Sequence, residues 1–184
     1  MRRYLILLSL FALSSPVQAS SLPGADAQKW VLGSGSAPAL GLEFPFQDRI
    51  RLGAGGAVPF YYGAQFGISR YYAHMQYLML ANDGFYISGL AGVFGELNLP
   101  GHTLSEEISP IGIEMGACFS YLFSEQLRLR LNLIPGFYLT LPPNGWTFLS
   151  PASGFEVAWR PWAPLEISLG FNGNGDILGL NGIF

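Results

Sequence analysis

The sequence predicts an all-β fold, an antiparallel transmembrane β-barrel, and three observations carry that expectation. The first is composition: hydrophobic residues make up 50 % of the 184 residues and charged residues only 11 %. A soluble domain covers its surface with about 25 % charged residues, so much of this surface must meet a solvent other than water. The second is a regular alternation of apolar and polar residues along most of the chain. The third is the kind of residue that fills the charge-poor stretches. Leu52 to Ser69 holds Gly53, Gly55, Gly56, Gly63, Gly67 and Pro59, and Leu131 to Phe155 holds Pro135, Pro142, Pro143 and Pro151. Gly and Pro are the poorest helix formers, so neither stretch reads as a membrane helix.

The first nineteen residues stand apart. Arg2 and Arg3 precede an apolar run from Tyr4 to Leu13, and Val17 and Ala19 supply the small-residue context of a signal peptidase site. The run is shorter than the roughly 20 residues a membrane helix needs. Residues 1–19 are therefore expected to be a cleaved signal peptide, cut after Ala19, for export by the Sec route. Ser20 follows the cut where a lipoprotein would have Cys, and a twin-Arg route would export a chain already folded. Without Arg2 and Arg3 the chain carries 7 Lys+Arg (9 minus 2) against 12 Asp+Glu. No basic patch points to a nucleic-acid partner.

Each strand is justified by its alternation. Ile50, Leu52, Ala54, Val58 and Phe60 oppose Arg51; Tyr71, Ala73, Met75, Tyr77 and Met79 oppose Arg70, His74 and Gln76. Phe85, Ile87, Ala91, Val93 and Leu97 oppose Tyr86, Ser88, Glu96 and Asn98. Ile111, Ile113, Met115, Phe119 and Tyr121 oppose Glu114, Cys118 and Ser120. Leu127, Leu129, Leu131 and Leu133 oppose Arg128, Arg130 and Asn132. Leu165, Ile167, Leu169 and Phe171 oppose Glu166, Ser168 and Asn172. Every charge inside these segments lies on the polar face, and Glu43 follows the same rule in the shorter run Leu40 to Phe46. A soluble lipocalin-like barrel also alternates, with its apolar face inward. Here the apolar face is continuous, with aromatics near the segment ends, and the polar face is thin and Gly-rich. That matches an apolar outer band in lipid around a polar lumen, where closing the sheet pairs every backbone group.

Asn82-Asp83-Gly84 is a strong hairpin signal. It sits with Ser124 to Gln126 and Arg160 to Pro164 on one side, expected to be periplasmic. Pro100 to Glu107, Pro142 to Gly145 and Gly173 to Gly175 fall on the other. Eight strands are favoured: 49–60, 64–80, 85–99, 108–122, 127–141, 147–160, 165–172 and 176–184. The barrel domain is then 49–184, and 20–48 is an N-terminal segment forming either extra strands or a periplasmic extension. In the extra-strand alternative, Ala39 to Phe46 pairs with Gln28 to Ser34 and the barrel has ten strands. Pro135 and Pro151 resist the scheme, because they fall within proposed strands where every donor is needed.

The last residue is Phe184, with Leu178 and Leu180 at alternating positions before it, although Gly182 stands where a further apolar residue is usual. This resembles the C-terminal signature of outer-membrane barrels, and in length, signal peptide and pattern the chain resembles the small OmpA-type and OmpX-type membrane barrels, without their peptidoglycan-binding extension. The resemblance implies residence in the cell outer membrane and contact with its lipids. It also implies delivery by periplasmic chaperones and the barrel-assembly machinery, with Phe184 as the assembly signal, and a monomeric state.

An eight-stranded interior is just wide enough to be filled by side chains. The polar face supplies Arg51, Arg70, Arg128 and Arg130 against Glu96, Glu114, Glu156 and Glu166, four of each sign. A balanced network of buried charges is expected to fill the lumen, giving a structural or envelope-integrity role. No cofactor is expected: acidic residues do not form a calcium loop, and no Cys/His cluster suggests zinc. Cys118, the single cysteine, reads as a small buried residue. A lipid A-modifying barrel enzyme is the first alternative, but His74 and His102 are the two histidines available, and neither lies in a local His-x-Ser arrangement. A narrow small-solute channel is the second, with Gly53, Gly55, Gly112 and Gly116 as small lumen residues.

Overall fold

A computed structural model describes residues 22–25, 31–35, 39–57, 68–98, 111–139, 145–148, 150–173 and 177–184. The expected signal peptide, His102 and the turn between the first two expected strands lie outside the described residues. All regular structure described is β. The strands are β1 (Val31–Gly35), β2 (Ala39–Gln47), β3 (Ile50–Ala57), β4 (Ile68–Asn82), β5 (Phe85–Asn98), β6 (Ile111–Leu122) and β7 (Leu127–Leu133). They continue with β8 (Gly136–Tyr138), β9 (Trp146–Thr147), β10 (Gly154–Trp162), β11 (Leu165–Asn172) and β12 (Leu178–Ile183).

Every pairing is antiparallel, and the sheet is curled. The ladders run from β6 through β7, β10, β11, β12, β1, β2, β3 and β4 to β5, and β5 pairs with β6 again. The two strands before Ile50 belong to this circuit. β2 pairs with β3 and β1, and β1 also pairs with β12, Val31 facing Ile183. β1 and β2 thus join the sheet, and β1 covers edges that β2 and β12 would otherwise leave open.

The tight connections gather at one end: Asp48-Arg49, Asp83-Gly84, Phe123 to Gln126, and Ala163-Pro164. Asp83 and Gly84 both have positive φ, 45° and 81°. That is the backbone of a two-residue hairpin turn whose twist matches the strands it joins. Pro45 and Pro161 lie in strands, each at an irregular step in the ladder beside one of these turns, where a missing donor is tolerated.

Two expectations need correction around Pro135 and Pro151. β7 and β8 keep one register against β6, and Pro135, which has no amide to donate, still joins the ladder through its carbonyl, which accepts from the Met115 amide at 3.2 Å. The expected strand 147–160 is not continuous. β9 pairs with β8 at Thr147 and Gly136, and β10 pairs with β7 at Gly154 and Asn132. Six residues (148–153) therefore stand opposite three (133–135). The surplus turns into the interior, and Ser150, Pro151, Ala152 and Ser153 are all buried.

The two faces differ in kind. Tyr71, Met75, Tyr77, Val93, Ile113, Met115, Leu131, Leu133, Val157, Leu169 and Leu180 are exposed on the outer wall. Among the described residues every charged side chain sits either in a tight connection or on the inner face.

Candidate functional site

The interior is the place where chemistry-bearing side chains converge, and alternation puts them there. Arg51, Arg70, Glu96, Glu114, Arg128, Arg130, Glu156 and Glu166, the eight charges expected in the lumen, are each at most 6 % exposed. Gln76, Ser88, Ser120, Asn132, Ser168, Asn172 and Asn181 are buried with them. Buried charges persist only when they are paired and hydrogen-bonded, and these fall into three clusters and one outlier.

In the first cluster β4 meets β5. Arg70 and Glu96 are direct cross-strand partners, with Arg70 Nη2 donating to Glu96 Oε1 at 2.6 Å and Nε donating to the same oxygen at 3.1 Å. Tyr138 Oη donates to that oxygen at 3.0 Å, and Arg70 Nη1 donates to the Gly173 carbonyl at 2.6 Å. Phe94 packs edge-on against Tyr138 beneath this group.

The second cluster lies between β7, β10 and β11. Arg130 faces Glu156 across the ladder and donates to it at 2.5 Å, while its other terminal nitrogen reaches Glu166 at 2.8 Å. Arg128 approaches Glu166 at 3.3 Å by passing over Ala158, its fully buried partner on β10. Arg160 and Asn181 complete the coordination of Glu166, at 3.3 and 3.2 Å.

The third cluster centres on Glu43, which lies on the inner face with the other strand charges. It faces the His74 Nε2 at 2.8 Å and Arg51 at 3.7 Å. The His74 ring stacks on Tyr72, 5.6 Å between centroids. A side chain on Gly53 would strike both Glu43 and His74, so glycine there makes room for the pair. Gly55 is covered by the Tyr72 hydroxyl and Gly112 by Phe94 in the same way. Three of the four small residues read as a sign of a channel thus sit beneath larger side chains, whereas a side chain on Gly116 would meet the Leu133 carbonyl. A pocket near the Asp48-Arg49 turn, lined by Ala25, Arg51, Gln76 and Ser88, has a volume of about 10 Å³, room for one water.

Glu114 is the outlier. No described arginine pairs with it; it accepts from the Ala152 amide at 3.3 Å, and its Oε1 has no hydrogen-bond partner among the described residues. The interior balance is completed by Glu43 and Arg160, which give five arginines and five glutamates among the described residues. Arg160 was hidden from the alternation because a β-bulge and Pro161 lie next to it.

One feature of the interior has no periodic signature at all. Leu22, Pro23, Gly24 and Ala25 are buried inside the curled sheet. Arg51 donates to the Gly24 carbonyl at 2.8 Å and Asn132 to the Pro23 carbonyl at 3.1 Å. The Ala25 amide donates to Ser120 Oγ at 2.9 Å and the Leu22 amide to Glu156 at 3.3 Å. Ala25 packs with Leu90, Cys118, Ile134 and Ala152 in a small apolar cluster. Compared with protein-family models, with curated proteins and with solved structures, the chain gives no match.

Proposed function

We propose that this chain is a monomeric ten-stranded β-barrel of the cell outer membrane with a structural, envelope-integrity role. One observation carries the reading: the polarity of the molecule is inverted. Among the described residues the charges of the strands lie inside, and the exposed side chains of the outer wall between the two ends are apolar. In water such a surface would drive aggregation; in lipid it is the expected outer band, with a polar interior behind it.

Aromatic residues support the same reading. Phe46, Phe85, Tyr121, Phe123, Trp159, Trp162 and Phe184 are exposed near the end with the tight connections. Tyr71, Phe155, Phe171, Trp146 and Phe148 are exposed toward the opposite end. Two such girdles are where amphipathic rings sit at lipid–water boundaries. On this proposal residues 1–19 are a Sec signal peptide removed after Ala19, Phe184 is read by the barrel-assembly machinery, and the tight connections face the periplasm. The paired arginines and glutamates act as an internal frame that holds the strands in register.

The test is folding of the purified chain into vesicles containing lipid A, with parallel recordings in planar bilayers. The expected outcome is a β-type circular dichroism spectrum, a gel position that changes on boiling, no steady conductance and unaltered acyl chains. A chain that stays monodisperse without detergent overturns the membrane assignment. Steady conductance replaces the structural role with a channel, and altered lipid A acyl chains replace it with an enzyme.

A further inference from the structure

The interior wall treats Leu22–Ala25 as a ligand. Buried backbone groups require partners, and in the sheet those partners are neighbouring strands. This segment instead takes them from side chains on five different strands. They are Arg51 on β3, Gln76 on β4, Ser120 on β6, Asn132 on β7 and Glu156 on β10. Pro23 brings no amide that needs satisfying, and Gly24 presents its carbonyl to both Arg51 and Gln76. Leu22 is 2 % exposed. None of these bonds belongs to a ladder, so the segment can leave without breaking one.

The second inward segment is anchored differently. Ser150 donates to the Ile134 carbonyl at 2.5 Å, and the Ser153 amide closes a turn on Ser150. The chain on either side runs directly into β9 and β10. Asn132 touches both fillers, donating to Pro23 and to Ala152. Barrel diameter grows with strand number, and about eight strands is the size that side chains alone can fill. Two pieces of main chain lie inside the wall, one between β9 and β10 and one ahead of β1; on the proposed cleavage after Ala19, the second is held by the chain on its C-terminal side alone.

We propose that the inner wall is a binding site for a short extended peptide, occupied at rest by the chain's own Leu22–Ala25, and that this segment is a displaceable plug whose release opens the lumen to water-borne reagents. The site stands on interior geometry and does not depend on which membrane the barrel inhabits.

Cys118 reports on the plug. It is the single cysteine of the chain, fully buried, and packs in the same cluster as Ala25. The full exported chain, folded in detergent micelles, is treated with a charged methanethiosulfonate, and the rate of Cys118 labelling is measured. Wild type should label slowly. Leu22→Asp places a second carboxylate beside Glu156 and should label at least tenfold faster. Ser120→Ala removes one acceptor and leaves the barrel wall intact. It should raise the rate about two- to tenfold, the worth of one hydrogen bond. A tether holds its ligand at an effective concentration in the mM range, so a synthetic peptide of residues 20–27 should slow labelling of Leu22→Asp when supplied at mM concentration. Wild-type rates in Ser120→Ala and in folded Leu22→Asp overturn the proposal. So does fast labelling that the peptide fails to slow, because the barrel itself has then loosened. If Leu22→Asp does not fold, the Ser120→Ala rate decides.

Discussion

Arg70 and Glu96 meet across β4 and β5 only because Met79 is an extra residue between them and the turn. The hairpin closes with Asn82 opposite Phe85, and the ladder shifts by one between Leu78 and Leu80, so Arg70 faces Glu96 instead of Leu97. Shifting a strand by one residue exchanges its two faces. Without the bulge the arginine and its partner would not share the interior.

Deletion of Met79 is therefore expected to prevent folding, whereas Met79→Ala should fold. The Met79 side chain lies over Gly89 on the outer wall, so its loss removes contact area and leaves the register alone. Gel mobility with and without boiling checks both variants. Equal folding would show that the register is set elsewhere.

Glu96→Ala leaves the Arg70 guanidinium facing Tyr138 and the Gly173 carbonyl without its carboxylate. Removing one partner of a buried pair costs about 3 kcal/mol or more. Arg70→Ala in the same chain should recover part of that loss. Urea unfolding of the two single variants and the double variant gives the coupling; simple additivity would show that the two side chains act independently.

Leu131 stands on the outer wall, 39 % exposed, and Asn132 next to it is 2 % exposed. On the membrane proposal Leu131→Arg should cost about 2–4 kcal/mol and Phe123→Arg, beside a turn, about 0–1 kcal/mol. Asn132→Arg, which an open lumen would accept, should fold poorly, because Pro23 and Ala152 fill the space it needs. Folding yields into vesicles, measured side by side, rank the three. Improved yield for Leu131→Arg would mean that this face meets water.

Gly84 has φ of 81°, and a Cβ there would approach the Leu122 carbonyl at 3.2 Å. Gly84→Ala is expected to lose about 1–2 kcal/mol, the penalty for a left-handed residue with a side chain. Asp83→Asn, which keeps a residue type suited to positive φ, should be close to neutral. Urea midpoints of both variants test this.

Alternation alone separated the polar from the apolar face of the strands in which it was read, because a pleated strand points successive side chains to opposite sides whatever lies beyond it. Asn82-Asp83-Gly84 announced its own turn for an equally local reason. The eight inner-face charges were legible from the same period; a hairpin centred near residue 83 puts Arg70 only roughly opposite Glu96, and the bulge at Met79 is what makes them ladder partners. What surrounds each charge was not legible. Arg51 turns to Glu43, and three arginines share Glu166, two of them reaching it across the intervening strand β10.

The place of β1 and β2 in the circuit was likewise a matter of the whole sheet. The five residues of β1 carry little pattern, yet all five pair with β12 and Val31, Leu32 and Gly33 pair with β2 as well. Pro151 and Leu22–Ala25 lie further still from any local rule. Their burial follows from the space that a closed circuit of this size leaves inside, a quantity no window of sequence contains. The sequence by itself determined which side of each strand is polar. The tertiary structure decided which strands pair and which segments lie inside the sheet, because both are set by contacts between residues far apart in the chain.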